Sequence, residues 1–216
     1  MKNLIIIGAG GFAREVYWQA QVSSGYDSEW TTKGFLDGDV KLSAEDYAKL
    51  PGDAAILGDI DSYEIQPDDV FTCGVGIPAV RKKLIKKMLQ RGAKFINIIS
   101  EYSRITPTAK IGNGIIVGHD SGISDQVDFG DFSIMNNYSG IGHDAKIGKY
   151  TCIMSGVDID GNAQIGDEVF IGSHATILPK AIVDNGAYVG AGSIVLKKVK
   201  ANTKVFGNPA MVVGDN

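Results

Sequence analysis

Three histidines, His119, His143 and His174, are the candidate proton-transfer groups of this chain. His143 is followed by Asp144. A histidine beside a carboxylate suits a general base, because the carboxylate stabilises the imidazolium that forms. Gly161 lies eighteen residues further on. Its N–H is a donor that can face an oxyanion, and it has no side chain to block access. With the small residues Ser155, Ser173 and Ala191, this set suits acyl transfer from a thin, extended thioester ligand. The competing reading of His143 is a plain surface histidine at a corner. The three histidines are out of register with one another, which argues against a shared zinc ion. His119 and His174 take no assigned role.

The element that must position these groups is a repeat. From Ile105 to Val195 a bulky apolar residue recurs at every sixth position, sixteen times without a miss. Four residues after each of the first fifteen stands a small or β-branched residue, as at Ser121, Ser139 and Thr151. A period of six is neither helical nor a plain strand alternation. It is the hexapeptide repeat of a parallel β-helix, in which each unit makes one short strand and one corner, and three units close a triangular coil. Residues eighteen apart then stack. One row reads Asp125, His143, Gly161, Pro179, and another reads His119, Asn137, Ser155, Ser173, Ala191. The repeat predicts about five coils with the apolar residues inside the prism. Gly follows the apolar residue in half the units, as at Gly148, Gly166 and Gly190, and is expected to ease corners of positive φ.

Residues 1–98 follow a different pattern. Leu4 to Ile7 is a continuous apolar run and predicts a buried parallel strand. The turn Gly8-Ala9-Gly10-Gly11-Phe12-Ala13 leads into a helix from Arg14 to Ser23. Lys33–Asp37, Ala54–Leu57, Val70–Cys73 and Phe95–Ile99 predict further strands. Pro78 opens an amphipathic helix to Arg91, with Val80, Leu84, Ile85, Met88 and Leu89 inward. The predicted architecture is an α/β, Rossmann-like half domain over 1–98, then an all-β parallel β-helix with a C-terminal tail over 99–216. The Gly-x-Gly-x-x-Ala turn, with Asp37 ending the second strand, leaves three readings open: a nucleotide-sugar site, a dinucleotide site or a bare tight turn. The small size of the domain weighs against a dinucleotide.

The formal net charge of −4, with no basic patch, argues against nucleic acid as a partner. Cys73 and Cys152 are too few and too far apart for a disulfide framework. Neither a signal peptide nor a membrane span is legible, so the expected location is cytoplasmic.

On these residues the chain resembles the bacterial left-handed β-helix sugar acetyltransferases. That group includes the N-acetyltransferases of nucleotide-linked amino sugars and the sialic acid O-acetyltransferases. The resemblance is carried by Ile6-Ile7-Gly8-Ala9-Gly10-Gly11, Phe35-Leu36-Asp37, Gly74-Val75-Gly76 with Arg81-Lys82-Lys83, Gly142-His143-Asp144 and Gly207-Asn208-Pro209-Ala210. It implies a left-handed coil and a homotrimer with acetyl-CoA bound between neighbouring prisms, with no metal. It implies His143 as the base, Asp144 raising its basicity where relatives often carry Glu, and the Gly161 N–H at the oxyanion. It further implies Gly10, Gly11, Phe12, Asp37 and Gly76 as nucleotide-sugar contacts, with Asn136 near the sugar. Cys152, Ser173, Ala191, Gly207, Asn208 and Pro209 are implied contacts of acetyl-CoA. The implied activity is N-acetylation of a nucleotide-linked deoxy-amino sugar in surface-glycan synthesis. The alternatives are O-acetylation of a sialic acid and a non-catalytic nucleotide-sugar-binding scaffold.

Overall fold

The computed structural model describes residues 1–37, 45, 48–52 and 54–216. They form two compact units, Met1–Gly76 with Val80–Glu101, and Ile77–Ala79 with Tyr102–Asn216.

The first unit is built on β1 (Lys2–Ile7), whose residues Leu4 to Ile7 are fully buried. It is followed by α1 (Gly11–Ala20), β2 (Trp30–Leu36), β3 (Ala55–Gly58), β4 (Asp69–Cys73) and α2 (Pro78–Gln90). The sheet is parallel, in the order β3-β2-β1-β4. Continuous apolar strands flanked on both sides are what such a sheet requires. The chain leaves β1 toward β2 on one side, while β4 pairs on the other. The carboxyl ends of β1 and β4 therefore form a topological switch point, where open α/β sheets bind ligands. Gly8, at φ 92°, makes the turn out of β1. Gly74 ends β4 so close to α1 that a Cβ there would stand 2.5 Å from the Ala13 Cα.

Three expectations for this unit are corrected. α1 begins at Gly11, because Gly10 is its N-cap. On α2, Val80 and Leu89 are exposed, while Arg81, Ile85 and Met88 are buried. The inward stripe thus follows the helical spacing 81, 85, 88, with the Arg81 guanidinium satisfied by backbone carbonyls. The last strand is only Ile98–Ile99, with Phe95 making a single bridge to Phe71.

The second unit is a parallel β-helix of two-residue strands. Each strand pairs with the one eighteen residues on, as Gly140↔Asp158 and Ile141↔Ile159. One face stacks six strands from Arg104–Ile105 to Ile194–Val195. A second stacks six from Lys110–Ile111 to Lys198–Val199. The third runs from Ile116–Val117 through Tyr188–Val189 to Thr203–Phe206, and antiparallel Met211–Asp215 closes it. The stack therefore continues past the last unit of the sequence repeat, through strands that no longer keep the six-residue spacing.

The corners differ from expectation in an informative way. Positive φ falls three residues after the inward apolar residue, at every sixth position from Gly114 to Gly192. Most of these are not glycines; Asp144, Tyr150 and Lys180 have φ of 60°, 58° and 63°. Each such residue costs about 1–3 kcal/mol. It is held by its N–H, which donates to the preceding coil, as Asp144 does to the Asp125 carbonyl at 2.9 Å. The glycines directly after the apolar residue have another reason: close approach of the next coil. A Cβ at Gly148 would stand 2.4 Å from the Gly166 carbonyl carbon, and one at Gly172 would stand 2.5 Å from the Ala191 nitrogen.

The small inward residues also do more than fill space. Thr151 Oγ1 donates to the Gly166 carbonyl at 2.8 Å and accepts from the Val169 N–H at 3.1 Å. Ser139 does the same for the Met154 carbonyl and the Val157 N–H. Buried backbone groups left over at the corners are thereby paired. Replacing Thr151 with Val keeps the shape and orphans both groups, so it is expected to cost about 1–3 kcal/mol. Urea denaturation of Thr151→Val and Thr151→Ser checks this, with the serine variant retaining most of the stability; equal stability of wild type and Thr151→Val would refute the bridging role.

Candidate active site

His143 and Asp144 form the corner after the strand Gly140–Ile141. The left-handed backbone at Asp144 turns its carboxylate back to the preceding ring, and His143 Nδ1 lies 2.8 Å from Asp144 Oδ2. Both side chains are exposed, at 65% and 53%, so the pair adds little to stability. With the Nδ1 hydrogen given to the carboxylate, the lone pair of the neutral ring is on Nε2. The ring lies over the next coil, where a Cβ on Gly161 would stand 2.7 Å from Nε2. Gly161 is the vacancy that lets the ring sit there.

The Gly161 N–H is the second component. Its neighbours are engaged: Asp160 N–H donates to the Ile177 carbonyl and Asn162 N–H to the His143 carbonyl. The Gly161 N–H itself donates to no acceptor among the described residues. At four other corners an Asn or Asp one coil later caps the equivalent amide. Asn113, His119, Lys149 and Asp167 N–H donate to the side chains of Asp131, Asn137, Asp167 and Asn185 at 2.7–3.0 Å. Eighteen residues beyond Gly161 stands Pro179, which offers no such oxygen. Gly142 keeps the approach clear, since a Cβ there would stand 2.7 Å from the Gly161 nitrogen.

His119 tests how specific this geometry is, because Gly118-His119-Asp120 repeats the triplet Gly142-His143-Asp144. One coil beyond His119 is Asn137 rather than glycine, and its side chain caps the His119 amide. The His119 ring packs against Tyr102, with centroids 6.0 Å apart. His174 lies over Gly156, where a Cβ would stand 2.5 Å from Nδ1, but its own corner carries no following acid: the next residue is Ala175. Among the three, only His143 combines a carboxylate at Nδ1 with an open amide under Nε2.

A groove beside His143 is lined by Gly140, Gly142, Asp158, Asp160, Gly161 and Pro179, among others. Asp158 and Asp160 were not evident as site residues from the repeat alone. Their signal was their place on either side of the inward Ile159, which points them outward. Burial, and then the like charge of Asp160, push the Asp158 carboxyl above its ordinary range.

The proposed acetyl-CoA residues lie mostly on another edge of the prism. The amides of Ser155, Ser173 and Ala191 stack in one row and have no acceptor among the described residues. Gly207, Asn208 and Pro209 follow on, tied down by Gly207 N–H to Ser193 Oγ and Ala210 N–H to the Ile194 carbonyl. Open amides in line fit an extended ligand with carbonyl acceptors, as pantetheine is. Cys152 does not join them; it is fully buried on the strand Cys152–Ile153. Asn136 caps the Asn137 N–H on that same edge, not on the His143 edge. In the first unit, Gly10 caps α1 and Gly11 starts it, a Cβ on Gly76 would stand 3.9 Å from the Phe12 ring, and Asp37 N–H donates to the Gly58 carbonyl at the same end of the sheet. Burial pushes the Cys73 thiol up, so it is no nucleophile. Among the described residues no cluster of His, Cys, Asp and Glu is arranged to hold a metal ion, and no helix is long and apolar enough to cross a membrane.

Residues 3–88 match the PglD N-terminal domain, and residues 162–197 match the bacterial transferase hexapeptide family of six repeats. Comparison with curated proteins finds no match. The acetyltransferase domain of PglB from Neisseria gonorrhoeae is 25% identical with a TM-score of 0.87, covering 99% of this chain and 100% of that one. The same domain in complex with acetyl coenzyme A has a TM-score of 0.85 at 25% identity, covering 98% and 99%. WeeI from Acinetobacter baumannii is 25% identical with a TM-score of 0.82, covering 99% and 100%. PerB from Caulobacter crescentus, solved with CoA and GDP-perosamine, shares the fold at 22% identity with a TM-score of 0.85, covering 99% and 98%. The chain thus joins a PglD-type N-terminal domain to a left-handed β-helix with hexapeptide-transferase repeats, resembles acetyltransferases of known structure along its whole length, and is an acyltransferase with acetyl-CoA as cosubstrate.

Proposed function

We propose that this enzyme transfers the acetyl group of acetyl-CoA to an amino group of a nucleotide-linked deoxy-amino sugar, as a step of surface-glycan synthesis. The observation that carries the reading is the His143 ring, held at Nδ1 by Asp144 and laid with Nε2 over Gly161 beside an open amide. Acetyl-CoA supplies the acyl group as a thioester. His143 Nε2 accepts the proton that the amine loses as its nitrogen bonds to the carbonyl carbon, and Asp144 stabilises the imidazolium. The Gly161 N–H donates to the carbonyl oxygen as it gains charge. His143 then returns the proton to the departing sulfur.

The groove favours an amine over a sialic acid. Asp158 and Asp160 line it with no Lys or Arg beside them. They attract an ammonium group and repel the carboxylate that every sialic acid carries. The nucleotide is assigned to residues 1–98, at the switch point formed by Gly10, Gly11, Phe12, Asp37 and Gly76. Acyl transfer is assigned to residues 99–216. In one chain the amide row of Ser155, Ser173 and Ala191 lies on a different edge from His143. A neighbouring copy that lays its row against the His143 edge completes the site, which supports a homotrimer.

Thiol release from acetyl-CoA, measured with UDP-, dTDP- and GDP-linked 4-amino sugars and with free sialic acid, tests the activity. We expect turnover with at least one amino sugar and none with sialic acid; the reverse result assigns O-acetylation. Nucleotide binding without acetyl-CoA binding, read by thermal shift, points to a scaffold instead. Light scattering is expected to give the mass of three chains. His143→Ala is expected to lower kcat by about 10²–10⁴-fold at unchanged melting temperature. Gly161→Ala displaces the ring by placing a methyl against Nε2, so it lowers kcat with both His143 and Asp144 present. Near wild-type turnover in either variant contradicts the assigned base.

A further inference from the structure

Arg81 is the largest fully buried side chain of the described residues, at 0% exposure. It occupies the first inward position of α2. Burying a guanidinium is costly unless its donors are satisfied. Here Nη1 donates to the carbonyl of Cys73 and, at 3.4 Å, to that of Val75. Cys73 ends β4 and Val75 lies in the loop that follows it, at the switch point. The loop packs directly on the turn after β1: a Cβ on Gly8 would stand 3.0 Å from Val75 Cγ2, and Gly74 N–H donates to the Ile7 carbonyl at 2.8 Å.

The orientation of the loop peptides follows. In a trans peptide the C=O and the next N–H point in opposite directions. The Cys73 carbonyl faces Arg81, and the Gly74 N–H across that peptide is used by β1. The Val75 carbonyl also faces Arg81, so the Gly76 N–H points away from the guanidinium. It donates to no acceptor among the described residues. Gly76 lies beside Phe12, in the first turn of α1. That turn has its own orphan donors, because the first helical bond is Arg14 N–H to the Gly10 carbonyl, and the cap residue contributes no side-chain bond. The first turn also holds no acid that would repel an anion.

We propose that Arg81 is a positioning residue for the nucleotide: by holding the Cys73 and Val75 carbonyls it aims the Gly76 N–H to act with the first-turn N–H groups of α1 on the diphosphate. This rests on the nucleotide-sugar reading of the same crevice. Arg81 does not touch the ligand; it sets which face of the Val75–Gly76 peptide the ligand meets. Lysine keeps the charge but lacks the planar, forked donors that span two carbonyls.

Calorimetric titration of the full-length wild type and Arg81→Lys with GDP, UDP and dTDP, and with the matching nucleosides, tests the inference. The diphosphate that binds the wild type is expected to weaken about tenfold in Arg81→Lys. Affinity for its nucleoside and for CoA stays unchanged. A purely structural role weakens nucleoside and diphosphate alike, and that result overturns the inference, as does an unchanged diphosphate affinity. A second measurement needs no variant: in the wild type, the Gly76 amide resonance is expected to shift when the diphosphate is added. A bound diphosphate that leaves this resonance in place overturns the inference even if Arg81→Lys does not fold. Failure of all three diphosphates to bind the wild type removes the nucleotide reading itself, and the inference with it.

Discussion

Every feature of the second unit depends on backbone hydrogen bonding between coils eighteen residues apart. Parallel strands only two residues long cannot hold themselves; each is stable because it pairs above and below. Strand spacing brings successive coils to about 4.8 Å. That distance leaves no room for a Cβ where the chain leaves a strand, so glycine recurs after the inward residue. It also requires a sharp corner, and the chain makes it with a left-handed residue whose N–H is tied to the coil before. The backbone strain is paid once per unit, and the ladder repays it along the whole stack.

The site arises where this scheme lapses. At four corners, those of Asn113, His119, Lys149 and Asp167, an Asn or Asp from the next coil caps the free amide. At Gly161 the next residue in the row is Pro179, so the amide stays open, and Gly161 itself leaves a space that the His143 ring fills. The same lapse along Ser155, Ser173 and Ala191 leaves a line of donors. A left-handed corner is an unusual place for an aspartate, but it turns Asp144 onto Nδ1. The proposed site uses departures from a uniform scaffold rather than added loops, so a short repeat suffices to set an imidazole and a row of open amides on its edges.

The first unit differs in kind, because its unpaired peptide N–H groups gather at one end of a parallel sheet. Strand β1 is apolar and buried from Leu4 to Ile7, so the carboxyl ends of β1 and β4 supply the polar surface. Close packing of Gly74 against Ala13 brings α1 and the loop after β4 to the same crevice. The buried cation of Arg81 then decides which way the loop peptides face. A helix predicted from hydrophobic residues alone placed Val80 and Leu89 inward. The structure places Arg81 there because the Cys73 and Val75 carbonyls accept from its guanidinium and offset the burial of its charge.

The sequence by itself determined the coil. A strict period of six, with apolar and small residues at fixed offsets, is compatible with one kind of stacking, and rows of eighteen follow by arithmetic. That is why His143, Asp144, Gly161 and the row of Ser155, Ser173 and Ala191 were legible before any coordinates. The α/β order of the first unit was legible too, from continuous apolar strands and one glycine turn. Only the tertiary structure showed what the rows do to the amides beside the two Gly-His-Asp triplets: Asn137 caps the His119 N–H, while the Gly161 N–H stays open beside the His143 ring. It also moved the positive φ from the glycines to the residues two places later, buried Cys152, and set Asn136 on a different edge from His143. Each of these turns on distances between coils or on which peptide group remains unpaired, and a one-dimensional pattern carries neither.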